Sequence, residues 1–227
     1  MKLRIAWLTI LCLTLAAIPA SAQFYDNGPI NGTTDAWYIN FGYIVSDTFV
    51  SNGSVSSFRL GVWEFRSQPP CALCRDTVLS LQWSITSAEN GGTVYGSGTA
   101  SGKNLTDTFI SVNQYGYNVE LIQVSGLNVA LTRGSTYWLN LQNAVVPSGD
   151  PVFWDENSGK GCQSNGCPSQ ASESAVGTIP SEAFTIGGGC GGGNCELSGS
   201  TPEPNTILLF GSGILGVAGV LRRKLHV

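Results

Sequence analysis

Three carboxylates stand close together in one stretch of the sequence that could do chemistry. Asp150, Asp155 and Glu156 lie within "DPVFWDENSGKG", residues 150–161, on either side of Trp154. Paired carboxylates can serve as the acid and the base of a glycosidase, and clustered carboxylate oxygens can bind calcium. Residues 155–159 also have the composition of an ordinary polar turn. The stretch therefore supports three competing interpretations: a turn, a weak calcium site and a glycosidase centre.

Six cysteines remain once Cys12, which belongs to the N-terminal leader, is set aside. They form three close pairs, which are Cys71 with Cys74, Cys162 with Cys167, and Cys190 with Cys195. An even number of cysteines in an exported chain favours disulfides, with local pairing as the simplest connectivity. The C-x-x-C spacing of Cys71 and Cys74 also suits a redox dithiol or half a zinc site. Its setting, "RSQPPCALCRD", is an apparent loop between strands, which favours a structural disulfide.

A third candidate site consists of Trp138, Asn140 and Gln142, which alternate along one predicted strand. Alternation places the three side chains on the same polar face. An indole ring beside two amides would suit a carbohydrate, because sugar rings stack on aromatic faces and their hydroxyls bond to amides. Other aromatic residues could act similarly or simply pack in the core: Trp37, Tyr38, Tyr43, Trp63 and Trp154. Trp83 is excluded, because it lies on the apolar face of its strand with Leu81 and Ile85.

Composition argues against catalysis and against nucleic-acid binding. The only histidine is His226, so a Ser-His-Asp or Cys-His centre has no general base in the body of the chain. Between Gln23 and Thr201, six Lys and Arg residues face 14 Asp and Glu residues, which gives a net charge of −8. Binding to nucleic acid requires basic patches. We therefore predict a protein that is not an enzyme and has no cofactor, no bound nucleic acid and no metal beyond the weak calcium candidate.

Strands should position these candidate residues, because apolar and polar residues alternate with a period of two in the middle of the chain. In "TVLSLQWSIT" the residues Leu79, Leu81, Trp83 and Ile85 fall on one face, and the intervening residues are polar. The same rhythm occurs at Phe58, Leu60 and Val62, at Leu127, Val129 and Leu131, and at Tyr137, Leu139 and Leu141. Asn90-Gly91 is typical of a tight hairpin turn. The pattern predicts an all-β fold, an antiparallel β-sandwich of jelly-roll type over residues 23–186, with an up-and-down barrel as the alternative.

Both ends of the chain look like targeting segments. Lys2 and Arg4 precede an apolar run that closes on Ala20-Ser21-Ala22, which predicts a signal peptide over residues 1–22 rather than a buried helix. Residues 187–201 form a spacer rich in glycine and cysteine. Residues 205–221 contain no charge and predict a single transmembrane helix. The basic cluster Arg222, Arg223 and Lys224 should stay in the cytoplasm, which leaves the body of the protein outside.

The tail resembles a known sorting signal. Pro202-Glu203-Pro204, a glycine-containing apolar segment and the Arg-Arg-Lys cluster follow in the order of the PEP-CTERM signal, residues 202–227, of Gram-negative bacteria. This tail is also labelled as the C-terminal domain of ice-binding proteins, a label that implies no ice binding here. The resemblance implies processing by a membrane protease, exosortase, after transient anchoring in the inner membrane. It also implies release to the cell surface or matrix and association with extracellular polysaccharide.

Two functions remain open at this point. The favoured one is an exported, non-catalytic surface or matrix protein that is sorted through its tail and interacts with carbohydrate. The alternative is an exported enzyme that cleaves polysaccharide with paired carboxylates. For the tail, the alternative to processing is a plain membrane anchor that is never cleaved.

Overall fold

The alternating segments build thirteen strands in the part of the chain that the structure describes. The structure is a computed structural model, and it describes residues 23–65, 76–157 and 159–188. In chain order the strands are β1 (Gln23–Asp26), β2 (Ala36–Tyr38), β3 (Ile44–Val50), β4 (Ser54–Glu64), β5 (Ser80–Ala88), β6 (Gly91–Ser101), β7 (Leu105–Val112), β8 (Asn118–Ala130), β9 (Thr136–Val145), β10 (Val152–Asp155), β11 (Ala171–Glu173), β12 (Gly177–Ile179) and β13 (Phe184–Gly187). A short 3-10 turn, Gly102–Asn104, is the one helical element among the described residues.

The strands form two antiparallel sheets. In sheet A the long strand β4 is central. On one side β4 pairs with β8, which in turn pairs with β7. On its other side β4 pairs with β13 and with β10, and these two strands pair in turn with β1 and β2, respectively. Sheet B runs in the order β12-β11-β3-β9-β5-β6. Two sheets around one core confirm the predicted all-β, antiparallel class and are unlike a single closed barrel.

The core lies between the inner faces of the two sheets. Phe58, Leu60 and Val62 of β4 belong to the same buried cluster as Leu81, Trp83 and Ile85 of β5. Phe58 meets Trp83 edge-to-face, with 6.3 Å between the ring centroids, so the exclusion of Trp83 as a binding residue is consistent with its position. Leu79 differs from the prediction: it precedes β5 and is 52% exposed. Its N–H donates to the Val145 carbonyl at 2.8 Å, so the backbone is paired there, and the exposure accompanies an irregular pairing of β5 with β9 between Ser80 and Gln82.

Several predicted features lie outside the described residues. They are the signal peptide, the pair Cys71 and Cys74, the pair Cys190 and Cys195, and the tail with its proposed membrane segment. Within the described ranges, no helix is long and apolar enough to cross a membrane.

Candidate functional site

A cleft of about 570 Å³ opens beside Trp138 on sheet B and is referred to below as the Trp138 cleft. Trp138 and Glu89 line it together with two segments, 168–171 and 178–181, which flank and include parts of β11 and β12. Half of the lining side chains are apolar, namely Trp138, Pro168, Ala171, Ile179 and Pro180, and half are polar, namely Ser169, Gln170, Thr178, Ser181 and the acidic Glu89. An aromatic wall with nearby hydroxyl, amide and carboxylate groups is a combination that can orient a sugar.

Trp138 reaches this cleft because of its register in sheet B. It lies opposite Thr48 of β3 and Thr86 of β5, so it shares the outward face of the sheet with hydroxyl-bearing residues. Its neighbours in sequence, Tyr137 and Leu139, point into the core. The predicted alternation of β9 is therefore present, and the indole is half-buried rather than enclosed.

Asn140 lies on the same face as Trp138, but its amide is used within the sheet. The residue is only 4% exposed. Its Nδ2 donates to the Thr86 hydroxyl at 2.8 Å, and its Oδ1 accepts bonds from the Ser46 hydroxyl and the Asn90 backbone N–H, at 2.7 and 3.0 Å. An amide with this many partners has little capacity left for a ligand. Asn140 fixes the β5–β6 turn against β3 and β9.

The turn that covers Asn140 is the hairpin predicted at Asn90-Gly91. Asn90 has φ of +51°, and Gly92 has φ of +78° with the position of a Cβ only 2.5 Å from the Ser87 hydroxyl. The turn therefore favours asparagine and glycine at these positions. It separates Trp138 from Gln142, which remains half-buried on the same face, opposite Gln82. Of the predicted trio, Trp138 alone lines the cleft.

Most of the other aromatic candidates line up on the outer face of sheet A. Tyr38 stacks on Tyr43 with 5.5 Å between centroids and contacts Phe153 at 4.4 Å. The row continues through Tyr117 to Trp63, which lies 5.9 Å from it. Tyr38 and Tyr43 are exposed, whereas Trp63 and Trp154 are buried and Trp37 packs against the core. The rings in this row chiefly contact one another.

Asp155, predicted as part of a turn, calcium site or acid pair, instead ends strand β10. It is fully buried, and its carboxylate accepts hydrogen bonds from the N–H groups of Asn31 at 2.9 Å and Gly32 at 3.1 Å and from Trp63 Nε1 at 2.7 Å. Burial raises its pKa above the ordinary value, and the two backbone N–H groups oppose that rise. These bonds attach the 31–32 loop to sheet A.

The other two carboxylates of that stretch lie in different environments. Asp150 is exposed, while Glu156 is buried and accepts a hydrogen bond from Trp37 Nε1 at 3.3 Å. Within the described ranges, no group of three or more His, Cys, Asp and Glu side chains is arranged to hold a metal ion. The calcium interpretation of this stretch thus has no assembled centre in the described structure, and the glycosidase interpretation stays a prediction.

A second concentration of acid lies at the end of β4. Glu64 is 1% exposed, and burial, followed by the nearby carboxylates Asp107, Glu120 and Asp76, raises its pKa to about 10. Asp76 and Asp107 also accept hydrogen bonds, from the Ser148 and Val78 backbone N–H groups. Glu64 is therefore a neutral, buried acid at physiological pH.

Replacing Glu64 with glutamine is expected to stabilise the protein at alkaline pH. Folding raises the pKa from 4.5, so the folded state keeps a proton that the unfolded chain loses, and stability falls as pH rises from 4.5 towards 10. Urea unfolding near pH 4 and near pH 9 measures this. We expect similar stabilities near pH 4 and a variant more stable by several kcal/mol near pH 9. Glu89→Gln, at an exposed acid, is the control; equal pH responses of the two variants would contradict the assignment.

The tail is identified by comparison with known families. Residues 200–224 match the family model of the PEP-CTERM protein-sorting motif. The chain carries a PEP-CTERM signal. A search of curated proteins found no significant match.

The PEP-CTERM match confirms the resemblance drawn from Pro202-Glu203-Pro204 and the basic cluster. The motif supports an exported protein that is sorted through exosortase, with transient membrane anchoring and a final place outside the cell. Export also agrees with the disulfide between Cys162 and Cys167, which the structure contains as predicted. The matched residues lie outside the described residues, and the match says nothing about the sandwich.

Sequence reasoning missed the residues that surround Trp138. Segments 168–171 and 178–181 have neither a motif nor an unusual composition. A signal did exist for one buried acid: in "IVSDTFV" Asp47 alternates with Val45 and Phe49 and so falls on the apolar face of β3.

Proposed function

We propose that the chain is an exported, non-catalytic polysaccharide-binding protein of the cell surface or matrix, delivered by its PEP-CTERM signal. The observation that carries the binding proposal is the Trp138 cleft, in which a half-buried indole lies among apolar and neutral polar side chains, with Glu89 as the acidic one. A lining that mixes apolar side chains with hydroxyl and amide groups matches the alternating apolar and hydroxyl surfaces of a sugar ring.

The charge of the domain narrows the ligand class. Residues 23–201 have a net charge of −8, and Glu89 is the acidic residue among those lining the cleft. An anionic polysaccharide would be repelled at low ionic strength. The ligand proposed for the Trp138 cleft is therefore a neutral polysaccharide or one with few acidic sugars.

Replacing Trp138 with alanine is expected to weaken binding to a neutral extracellular polysaccharide about tenfold or more, because a central aromatic residue commonly dominates a binding site. Affinity gel electrophoresis of the purified protein, with polysaccharide from the native host in the gel, measures this. Phe41→Ala is the control, since Phe41 is 61% exposed and is not among the residues lining the cleft.

Three outcomes would overturn the binding proposal. One is equal affinity of wild type and Trp138→Ala at equal thermal stability. Another is an equal loss in Phe41→Ala, which would indicate non-specific adhesion. The third is release of new reducing ends from the polysaccharide by the wild-type protein, which would show that the alternative, a polysaccharide-cleaving enzyme, is correct.

A further inference from the structure

Two buried acidic residues, Asp47 and Glu182, meet in the interior between the two sheets. Asp47 of β3 lies between Val45 and Phe49, so its side chain points inward from sheet B. Glu182 precedes Phe184 on the inward-facing side of sheet A. The Glu182 backbone N–H donates to Asp47 Oδ2 at 2.8 Å, which places the two residues in direct contact. Both residues are 0% exposed.

These two side chains carry polar atoms that the described structure does not satisfy. Both carboxylate oxygens of Glu182 have no hydrogen-bond partner among the described residues, and Asp47 Oδ1 has none within ordinary hydrogen-bond geometry, although the Ser169 hydroxyl lies close enough to lower the Asp47 pKa. A buried carboxylate without a donor or a cation is costly, and native proteins pair such groups almost without exception. A proton or a cation on this pair would lower that cost.

The surroundings are rich in oxygen atoms. The hydroxyls of Ser169 and Ser181 lie 2.9 Å apart, and Asn27 Nδ2 donates to each at 2.6 Å. The Ser169 side chain also lies beside Asp47. Glu156 is paired with Glu182 across an antiparallel bridge, so a third carboxylate lies on the same face. This oxygen-lined space is accessible from one direction, because Ser169 and Ser181 also line the Trp138 cleft.

Either protons or a cation could neutralise the pair. Burial raises the pKa of Asp47 to about 7 and that of Glu182 well above its ordinary value, and the charge of Asp47 adds to the effect at Glu182. Protonation alone gives neither Glu182 oxygen a hydrogen-bond partner. A hard cation would use these oxygens, because carboxylate, hydroxyl and carbonyl oxygens are the groups that such ions prefer.

We propose that Asp47 and Glu182 bind one calcium ion in the interior, behind Ser169 and Ser181. Two carboxylates balance its charge, and the remaining ligands are neutral oxygens or water. Calcium is favoured over magnesium because it tolerates irregular oxygen geometry, and over zinc because no histidine lies in residues 23–201. The calcium proposal does not rest on polysaccharide binding.

Calcium should raise the thermal stability of the wild-type protein. The full chain is purified, treated with EGTA and then heated with EGTA or with calcium at about 100 times the dissociation constant measured by isothermal titration. We expect one binding event per chain and a rise in melting temperature of about 5–10 °C. A wild-type protein that gives no heat of binding and no shift overturns the proposal.

Variants with a neutral side chain at position 47 or 182 should be more stable than the wild type in EGTA and less stable than the wild type in calcium. Asp47→Asn and Glu182→Gln should each melt above wild type in EGTA, because an unpaired buried acid is removed, and each should lose the calcium shift. Asp150→Asn, at an exposed acid, should keep the full shift. Stabilised variants alongside an unresponsive wild type would show that the pair shares protons, and a calcium shift that survives both variants would place the ion elsewhere; either result overturns the proposal.

Discussion

A variant with Pro202, Glu203 and Pro204 all replaced by alanine is expected to remain full length in the inner membrane. In the wild-type protein we expect everything from around Pro204 onward to be removed and the rest to reach the surface or matrix. Proline lacks a backbone donor and disfavours helix in the preceding residue, so we expect the segment before the proposed membrane helix to be extended and accessible to a protease. With alanine at these positions, a helix could continue through the cleavage region.

The measurement follows an epitope tag inserted at Gly192 in the native host. Membrane, surface and medium fractions are immunoblotted, and mass spectrometry defines the C-terminus. The control replaces Asn194, Glu196 and Ser198 with alanine. It also changes three residues, one of them acidic, but all three lie outside the matched range of 200–224. If the wild-type protein stays in the inner membrane with His226 and Val227 attached, the plain anchor is the correct interpretation of the tail.

Asp155→Ala should cost about 3–5 kcal/mol of unfolding free energy, because it leaves three donors without their acceptor. Those donors are the backbone N–H groups of Asn31 and Gly32 and the indole N–H of Trp63. Their positions are fixed by the loop and by β4, so they cannot easily turn to another partner. Urea denaturation of the purified protein gives the difference.

Two further variants show whether the loss comes from these bonds. Asp155→Asn keeps one acceptor oxygen and should lose less than Asp155→Ala, whereas Asp150→Ala, at an exposed position, should change stability by less than about 0.5 kcal/mol. Equal, small losses at both positions would mean that Asp155 is not a structural anchor. Addition of calcium should leave the cost of Asp155→Ala unchanged, since its oxygens are already bonded.

The two buried acids Asp155 and Asp47 make a physical contrast. Both are fully buried, but Asp155 accepts bonds from backbone and indole N–H groups, whereas one oxygen of Asp47 has no partner within ordinary hydrogen-bond geometry among the described residues. Removing Asp155 should therefore destabilise the fold, and neutralising Asp47 without calcium should stabilise it. Calcium binding should therefore change the stability of the fold through Asp47 and not through Asp155.

The sequence by itself determined the class of fold and the sorting tail. Alternation at Leu81, Trp83 and Ile85, and at Tyr137, Leu139 and Leu141, predicts inward-facing side chains because the period of a strand is a local property of the backbone. The sorting motif can also be recognised from local sequence, because residues 200–224 contain all of it. Asn90 likewise predicts the turn in which it lies, because the tendency of a residue to adopt a positive φ depends on its own side chain.

Only the tertiary structure decided what the polar side chains do. Asn140 looks like a binding residue along β9, yet Ser46, 94 residues away, and the turn at Asn90 take up its amide. Asp155 looks like part of a turn until Trp63, 92 residues distant, donates to it. Asp47 and Glu182 meet across 135 residues. Periodicity sets the face on which a side chain lies, whereas the packing of distant strands sets its partners, and those partners determine whether a polar group is free to bind a ligand.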